Sequence, residues 1–158
     1  MKPRIKIIKF VSSRFTWESS AESFFVEKIR HYVDVDILPI KSPSSGRKEA
    51  ALKIKKEEEL LLKKIDSSEF VILLDEKGKV FKDSVAFSKN LVKELESKKN
   101  ITFIIGGAYG VSEGVKARAN QKVSLSALTM NHPLAFVVLL EQVYRALCIS
   151  KGLPYHNA

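Results

Sequence analysis

Apolar residues fall along the chain in short β-branched runs, separated by longer stretches with helical spacing. Residues 5–11 (IKIIKFV) read as a strand, and 19–30 as a helix with Ala21, Phe24, Phe25 and Ile29 on its apolar face. Residues 33–38 (VDVDIL) alternate apolar and polar positions, the pattern of an edge strand with one wet face. A turn-rich basic stretch at 41–48 (KSPSSGRK) leads into a heavily charged helix reaching about residue 65, with Ala50, Ile54, Leu61 and Ile65 as its buried line. Residues 70–74 (FVILL) are continuously apolar, as a central strand covered on both faces requires, and DEKG at 75–78 reads as the turn that ends it. A helix capped by Asp83 or Ser84 runs to Lys98, and 101–105 (ITFII) form a second buried strand. After GGAYG at 106–110 come a short helix, a short strand over 122–125 and a long helix from Pro133 to Ser150.

Strand and helix alternating in this way predict an α/β fold on a mostly parallel sheet flanked by helices. A chain of 158 residues can bury one core without cross-links, and it carries no linker or internal repeat, so residues 1–158 are expected to form a single domain. The last helix breaks the pattern. Between Leu134 and Ile149 its apolar surface runs almost all round, interrupted by Glu141, Gln142 and Arg145. One face would cover the sheet and the other a second copy, which predicts a homodimer.

Charge adds the next constraint. Lys and Arg number 27 against 18 Asp and Glu, a net +9, which points to a polyanion, nucleic acid before a membrane surface. No stretch approaches the ~20 apolar residues of a membrane span, and the N-terminus is not a signal peptide. A cytoplasmic chain with no membrane partner is expected. The single cysteine, Cys148, excludes an intramolecular disulfide and a Cys-rich zinc site, so no metal is expected.

Glycines cluster once, as Gly106, Gly107 and Gly110 directly after a buried strand. Open α/β sheets bind ligands at such strand exits, although G-G-x-x-G is neither a dinucleotide fingerprint nor a P-loop, and a tight turn explains it equally well. The exit of the 70–74 strand should lie beside it. The segment 124–133 (SLSALTMNHP) is uncharged in a highly charged chain. Its backbone groups could read the edge of an adenine while Leu74, Leu125 and Leu128 enclose the ring.

IIGGAYG at 104–110, VSLSALT at 123–129, HPL at 132–134, EQVYRA at 141–146 and PYH at 154–156 follow one another in that order. In this combination the sequence resembles the large-subunit ribosomal RNA pseudouridine methyltransferase H family of the SPOUT superfamily, over its whole length and including the basic Gly46-Arg47-Lys48 loop. Ala108-Tyr109 stands where many members carry Pro and an acidic residue, and Leu153 and Asn157 where members often carry His and a basic residue. The resemblance implies a SPOUT-type α/β-knot, a mostly parallel sheet with a C-terminal trefoil knot, which no periodicity could reveal. It implies a homodimer formed through the knotted region. It also implies S-adenosylmethionine-dependent methylation of N3 of a pseudouridine in large-subunit (23S) rRNA on the assembled 70S ribosome. Carried over by position, the cofactor pocket is Leu74, Gly106, Leu125, Ser126, Ala127, Leu128, Thr129 and Met130, with Gly107 and Gly110 shaping the turn.

Methylation at N3 requires loss of an imide proton, which a base or a cationic donor assists. The candidates are His132 at the pocket mouth, Arg145 further along the helix, and Tyr155 and His156 on the tail. Each has a plainer role too: His132 as a helix cap, Arg145 as a partner for Glu141, and Tyr155-His156 as a frayed end. Cys148 reads as core. RNA contacts are expected from Arg14, the 41–48 loop, Arg145 and the tail, shared between two protomers. A SPOUT enzyme acting on tRNA ribose and an inactive ribosome-binding module remain open at this point.

Overall fold

A computed structural model of the chain describes residues 2–11, 15–41, 49–107 and 110–157. Arg14, the 42–48 part of the basic loop and Ala108-Tyr109 lie outside the described residues. The elements are β1 (Arg4–Val11), α1 (Thr16–Ile29), β2 (Asp34–Lys41), α2 (Ala50–Leu62), β3 (Phe70–Val80), α3 (Ser84–Lys98), β4 (Asn100–Ile105), α4 (Glu113–Arg118), β5 (Gln121–Ser124) and α5 (His132–Ser150). The strands lie in the order β2-β1-β4-β3-β5, and each pairing between them is parallel.

Side-chain alternation sorts the strands' residues between two helical layers. Ile5, Ile7, Ile101, Phe103 and Ile105 point into a core shared with α1, α3 and α5. Ile8, Phe10, Val71, Leu73 and Ile104 point the other way, toward Leu61 of α2 and Val115 of α4. Each side chain so buried contributes roughly 1.5–3 kcal/mol relative to exposure. β2 is the edge strand its pattern predicts, with Val35 buried between exposed Asp34 and Asp36.

Several expectations are corrected. Helix α1 starts at Thr16, and its buried residues are Glu18, Val26 and Ile29, whereas Phe24 is 55% exposed. Helix α2 ends at Leu62, so Ile65 lies beyond it, and its buried positions are Glu57 and Leu61. Residues 75–78 do not end β3. Leu74 and Lys79 both register with Val123, so the four residues between them bulge out before the strand resumes along β5. Asp75 holds the bulge by accepting from the Lys77 amide at 3.0 Å.

Helix α5 explains its own composition. It packs against both α1 and α3 as well as the sheet, burying Phe136, Leu139, Leu140, Val143, Ala146 and Leu147. Flanked on two sides, it needs apolar residues around most of its circumference within one chain. At 19 residues it is also long and apolar enough to cross a membrane by length and composition, which corrects the expectation that no segment comes near that length. What remains outside among its large apolar residues is Leu134, 43% exposed, with Val137, Val138, Tyr144 and Ile149 half-buried.

Candidate active site

Three adjacent strands deliver the proposed pocket residues to one edge of the sheet. Leu74 of β3 registers with Ile105 of β4 on one side and Val123 of β5 on the other. Gly106 and Leu125 therefore leave the sheet on either side of Leu74, and Leu74 and Leu125 both pack on the inner core. Beyond Leu125 the chain is irregular to Asn131. Ser126 organises this stretch: its carbonyl accepts from Ser124 Oγ at 2.8 Å, and its own Oγ accepts from the Leu128 amide at 3.0 Å. The amides of Ala127, Thr129 and Met130 have no hydrogen-bond partner among the described residues. Leu128 stands 77% exposed, so it does not close over Leu74 and Leu125 in the single chain.

The glycine turn has a second partner. Gly110 donates its amide to the Gly107 carbonyl at 3.1 Å, and a Cβ on Gly107 would lie 2.9 Å from both carboxylate oxygens of Glu57. A side chain there would have to displace the carboxylate end of buried Glu57 of α2, which lies against the turn. The helical spacing Ala50, Ile54, Glu57, Leu61 carried that signal, but a glutamate on a charged helix reads as surface.

His132 is the first residue of α5 and does not cap it. Asn131 does, its Oδ1 accepting from the Leu134 amide at 2.9 Å. Burial lowers the His132 pKa from its usual value, with nearby Lys53 and Lys9 acting in the same direction and Glu18 opposing them. One turn further on, Phe136 lies under the Lys9 ammonium, 3.7 Å from ring centroid to Nζ. Lys9, only 4% exposed, pairs with Glu18 at 3.2 Å and Glu22 at 3.1 Å, both projected by α1. Sequence reading missed this buried ionic cluster, although Glu18 and Glu22 lie four apart on one helix face.

Arg145, Tyr155 and His156 do come together. Glu141 Oε1 accepts from Arg145 Nε at 3.0 Å, Arg145 Nη2 at 2.6 Å and the Tyr155 hydroxyl at 3.0 Å. Arg145 Nη1 contacts His156 Nδ1 at 3.0 Å, and the guanidinium lies over the Tyr155 ring. Gln142 Nε2 donates to Glu141 Oε2 at 2.8 Å while its Oε1 accepts from Ser84 Oγ at 2.7 Å. Ser84 and Gln142 also line a cavity of about 210 Å³ with Phe81, Phe87, Val138 and Leu125. The Arg145–Glu141 pair expected from their spacing is present, and the tail is docked rather than frayed. The Glu141 hydrogen bond is the main cause of a raised Arg145 pKa, and burial is the first cause of a raised Tyr155 pKa. Cys148 is buried in the core.

The four catalytic candidates thus fall into two groups. His132 and Arg145 lie on one helix, about 20 Å apart along its axis at about 1.5 Å per residue. A single nucleobase cannot span that distance.

Residues 3–156 match the family model described as "Predicted SPOUT methyltransferase". The chain belongs to the SPOUT methyltransferase family. Among its relatives is "Ribosomal RNA large subunit methyltransferase H" of Bdellovibrio bacteriovorus, 42% identical over 152 residues that cover 96% of this chain and 97% of the relative. Proteins of the same name from Dictyoglomus thermophilum and Cytophaga hutchinsonii are 38% identical over 153 residues (96% and 98% covered) and 35% identical over 158 residues (99% and 100%). The SPOUT match spans every strand and helix described above.

Proposed function

We propose that this chain methylates N3 of a pseudouridine in large-subunit rRNA on assembled ribosomes, using S-adenosylmethionine, as a homodimeric single-domain enzyme of the cytoplasm. The observation that carries the reading is the open backbone of residues 125–130 beside Leu74 and Gly106, past the carboxyl ends of β4 and β5 and next to the bulge of β3. Its unpartnered amides and half-buried leucines fit the polar edge and flat face of an adenine, so Leu74, Gly106, Leu125, Ser126, Ala127, Leu128, Thr129 and Met130 would hold the cofactor, with Gly107 and Gly110 keeping the turn. Bound there, the cofactor supplies a methyl group already activated by its sulfonium. The names of the relatives support rRNA rather than tRNA ribose as substrate. The family's trefoil knot is part of the proposal.

Distance supports the dimer. His132 stands beside the proposed pocket, whereas Arg145, Tyr155 and His156 form a cluster too far along α5 to reach the same base. A second copy laid against the exposed part of α5 brings its tail cluster to the first copy's pocket, with His132 nearby and kept neutral by burial. The described elements all belong to the one sheet and its helices, and a +9 charge alone would give weak, salt-dependent affinity for isolated RNA. An assembled ribosome supplies the additional surface.

The test is transfer of a labelled methyl group to naked large-subunit rRNA, free subunits and whole ribosomes, each lacking the modification. Whole ribosomes should be methylated fastest, at one pseudouridine. Equal rates on naked rRNA, or no transfer to ribosomes, would contradict the reading.

A further inference from the structure

We propose that Arg145 fixes His156 as an Nε2–H donor, so that the tail serves methyl transfer by donating a hydrogen bond to a carbonyl oxygen of the target base and not by accepting its proton. This rests on the reading of the site as one for methylating an imide nitrogen.

The deduction starts from Glu141. Its Oε1 holds Arg145 Nε and Nη2, and its Oε2 is held by Gln142, itself tied to Ser84. These bonds fix the guanidinium plane and leave Nη1 to meet His156 Nδ1 at 3.0 Å. A guanidinium has five N–H donors and no acceptor. Nδ1 must therefore be the acceptor, and the ring proton sits on Nε2, on the opposite edge of the imidazole. Tyr155 is engaged in a complementary way: its hydroxyl donates to Glu141, and its raised pKa keeps that proton in place. Each tail group that could take a proton is committed. Of the Tyr155 and His156 polar groups held in this cluster, the Nε2–H of His156 is the one with no partner among the described residues.

Such a donor matches the chemistry at N3. As N3 gives its proton to water and its electron pair to the methyl carbon, whose former bonding pair stays on sulfur, negative charge spreads onto the two flanking carbonyl oxygens. A pre-aimed N–H at one of them stabilises that charge without reorganising. Glu141 is then a positioning residue, acting on the base only through Arg145 and His156.

Two measurements test this on the intact dimer. Nitrogen NMR of histidine-labelled protein should show His156 as a single tautomer protonated at Nε2, and Arg145→Ala or Glu141→Gln should let the Nδ1–H tautomer appear beside it, as in a free imidazole. In methyl transfer to ribosomes, His156→Ala should lose about 100–1,000-fold, the usual effect of deleting one such donor. His156→Gln, whose side-chain amide can replace the Nε2–H, should recover about tenfold or more of that loss. Cofactor affinity should be unchanged in both variants. A proton on Nδ1, or His156→Gln as inactive as His156→Ala, would overturn the proposal. If the wild-type enzyme transfers no methyl group at all, the functional reading fails instead, and the NMR result alone decides the tautomer.

Discussion

Glu141 and Tyr155 meet through a 3.0 Å hydrogen bond that ties the end of the chain back onto the middle of α5. Around it Tyr155 packs edge-on to Tyr144 at 4.7 Å between ring centroids. Tyr155→Phe keeps the ring and deletes only the hydroxyl, so it should cost about 1–2 kcal/mol in denaturant unfolding. Amide exchange of residues 153–157 should speed up while that of β1 and β4 is unaffected. Unchanged exchange in the tail would mean that the aromatic packing alone docks it.

Lys9 should be the least replaceable charge in the fold. Lys9→Met strips Glu18, 6% exposed, of its cation and leaves a buried unpaired carboxylate, a loss of about 3–5 kcal/mol in the unfolding free energy. Adding Glu18→Gln to Lys9→Met removes the stranded charge and should recover most of that stability. A double variant as unstable as the single one would show that the cluster acts through packing on Phe136 and not through its charges.

His132 gives stability a pH dependence of known sign. Burial lowers its pKa in the folded state, so the unfolded chain binds the proton more readily. Its contribution is present above the unfolded value near 6.5 and is lost as pH falls through the lower folded value. Thermal unfolding of the wild type should therefore decline more steeply below pH 6.5 than that of His132→Gln. Parallel pH profiles for the two would refute the assignment.

Much of the architecture was legible from residue patterns, and the exceptions share a cause. FVILL and ITFII are buried on both faces as β3 and β4, and alternation in VDVDIL marks β2 as the edge. The patterns failed where a polar residue is buried or an apolar one is not. Lys9, Glu18 and Glu57 lie inside because charge partners or a glycine turn receive them, and Phe24 lies outside because α1 turns the face carrying Val26 and Ile29 to the core instead. Strand β3 resumes after 75–78 because β5 offers it a second register, a long-range pairing with no local signature. In the site, Leu74, Gly106 and Leu125 gather as their strand order requires. The separation of His132 from the tail cluster is the length of α5 between residues 132 and 145, whereas the return of the tail onto Glu141 has no local signature.

Leu128→Arg is the clean probe of the cofactor pocket. The side chain is 77% exposed and the change leaves the core untouched, so the dimer should stay folded while calorimetric titration shows S-adenosylmethionine binding abolished. Gly106→Val is a blunter tool. A Cβ at Gly106 would come 2.5 Å from Val111 Cγ1, so that substitution shifts the neighbouring loop as well. Normal cofactor affinity in Leu128→Arg would remove residue 128 from the pocket.

The central claim is that one protomer's pocket works with the other's tail. Leu128→Arg and His156→Ala, each inactive as a homodimer, can be co-expressed with different tags and the mixed dimer isolated. Assayed for labelled-methyl transfer to unmodified ribosomes, the mixed dimer should regain about half the wild-type rate, because one of its two composite sites combines an intact pocket with an intact tail. A mixed dimer as inactive as its two parents would contradict the account.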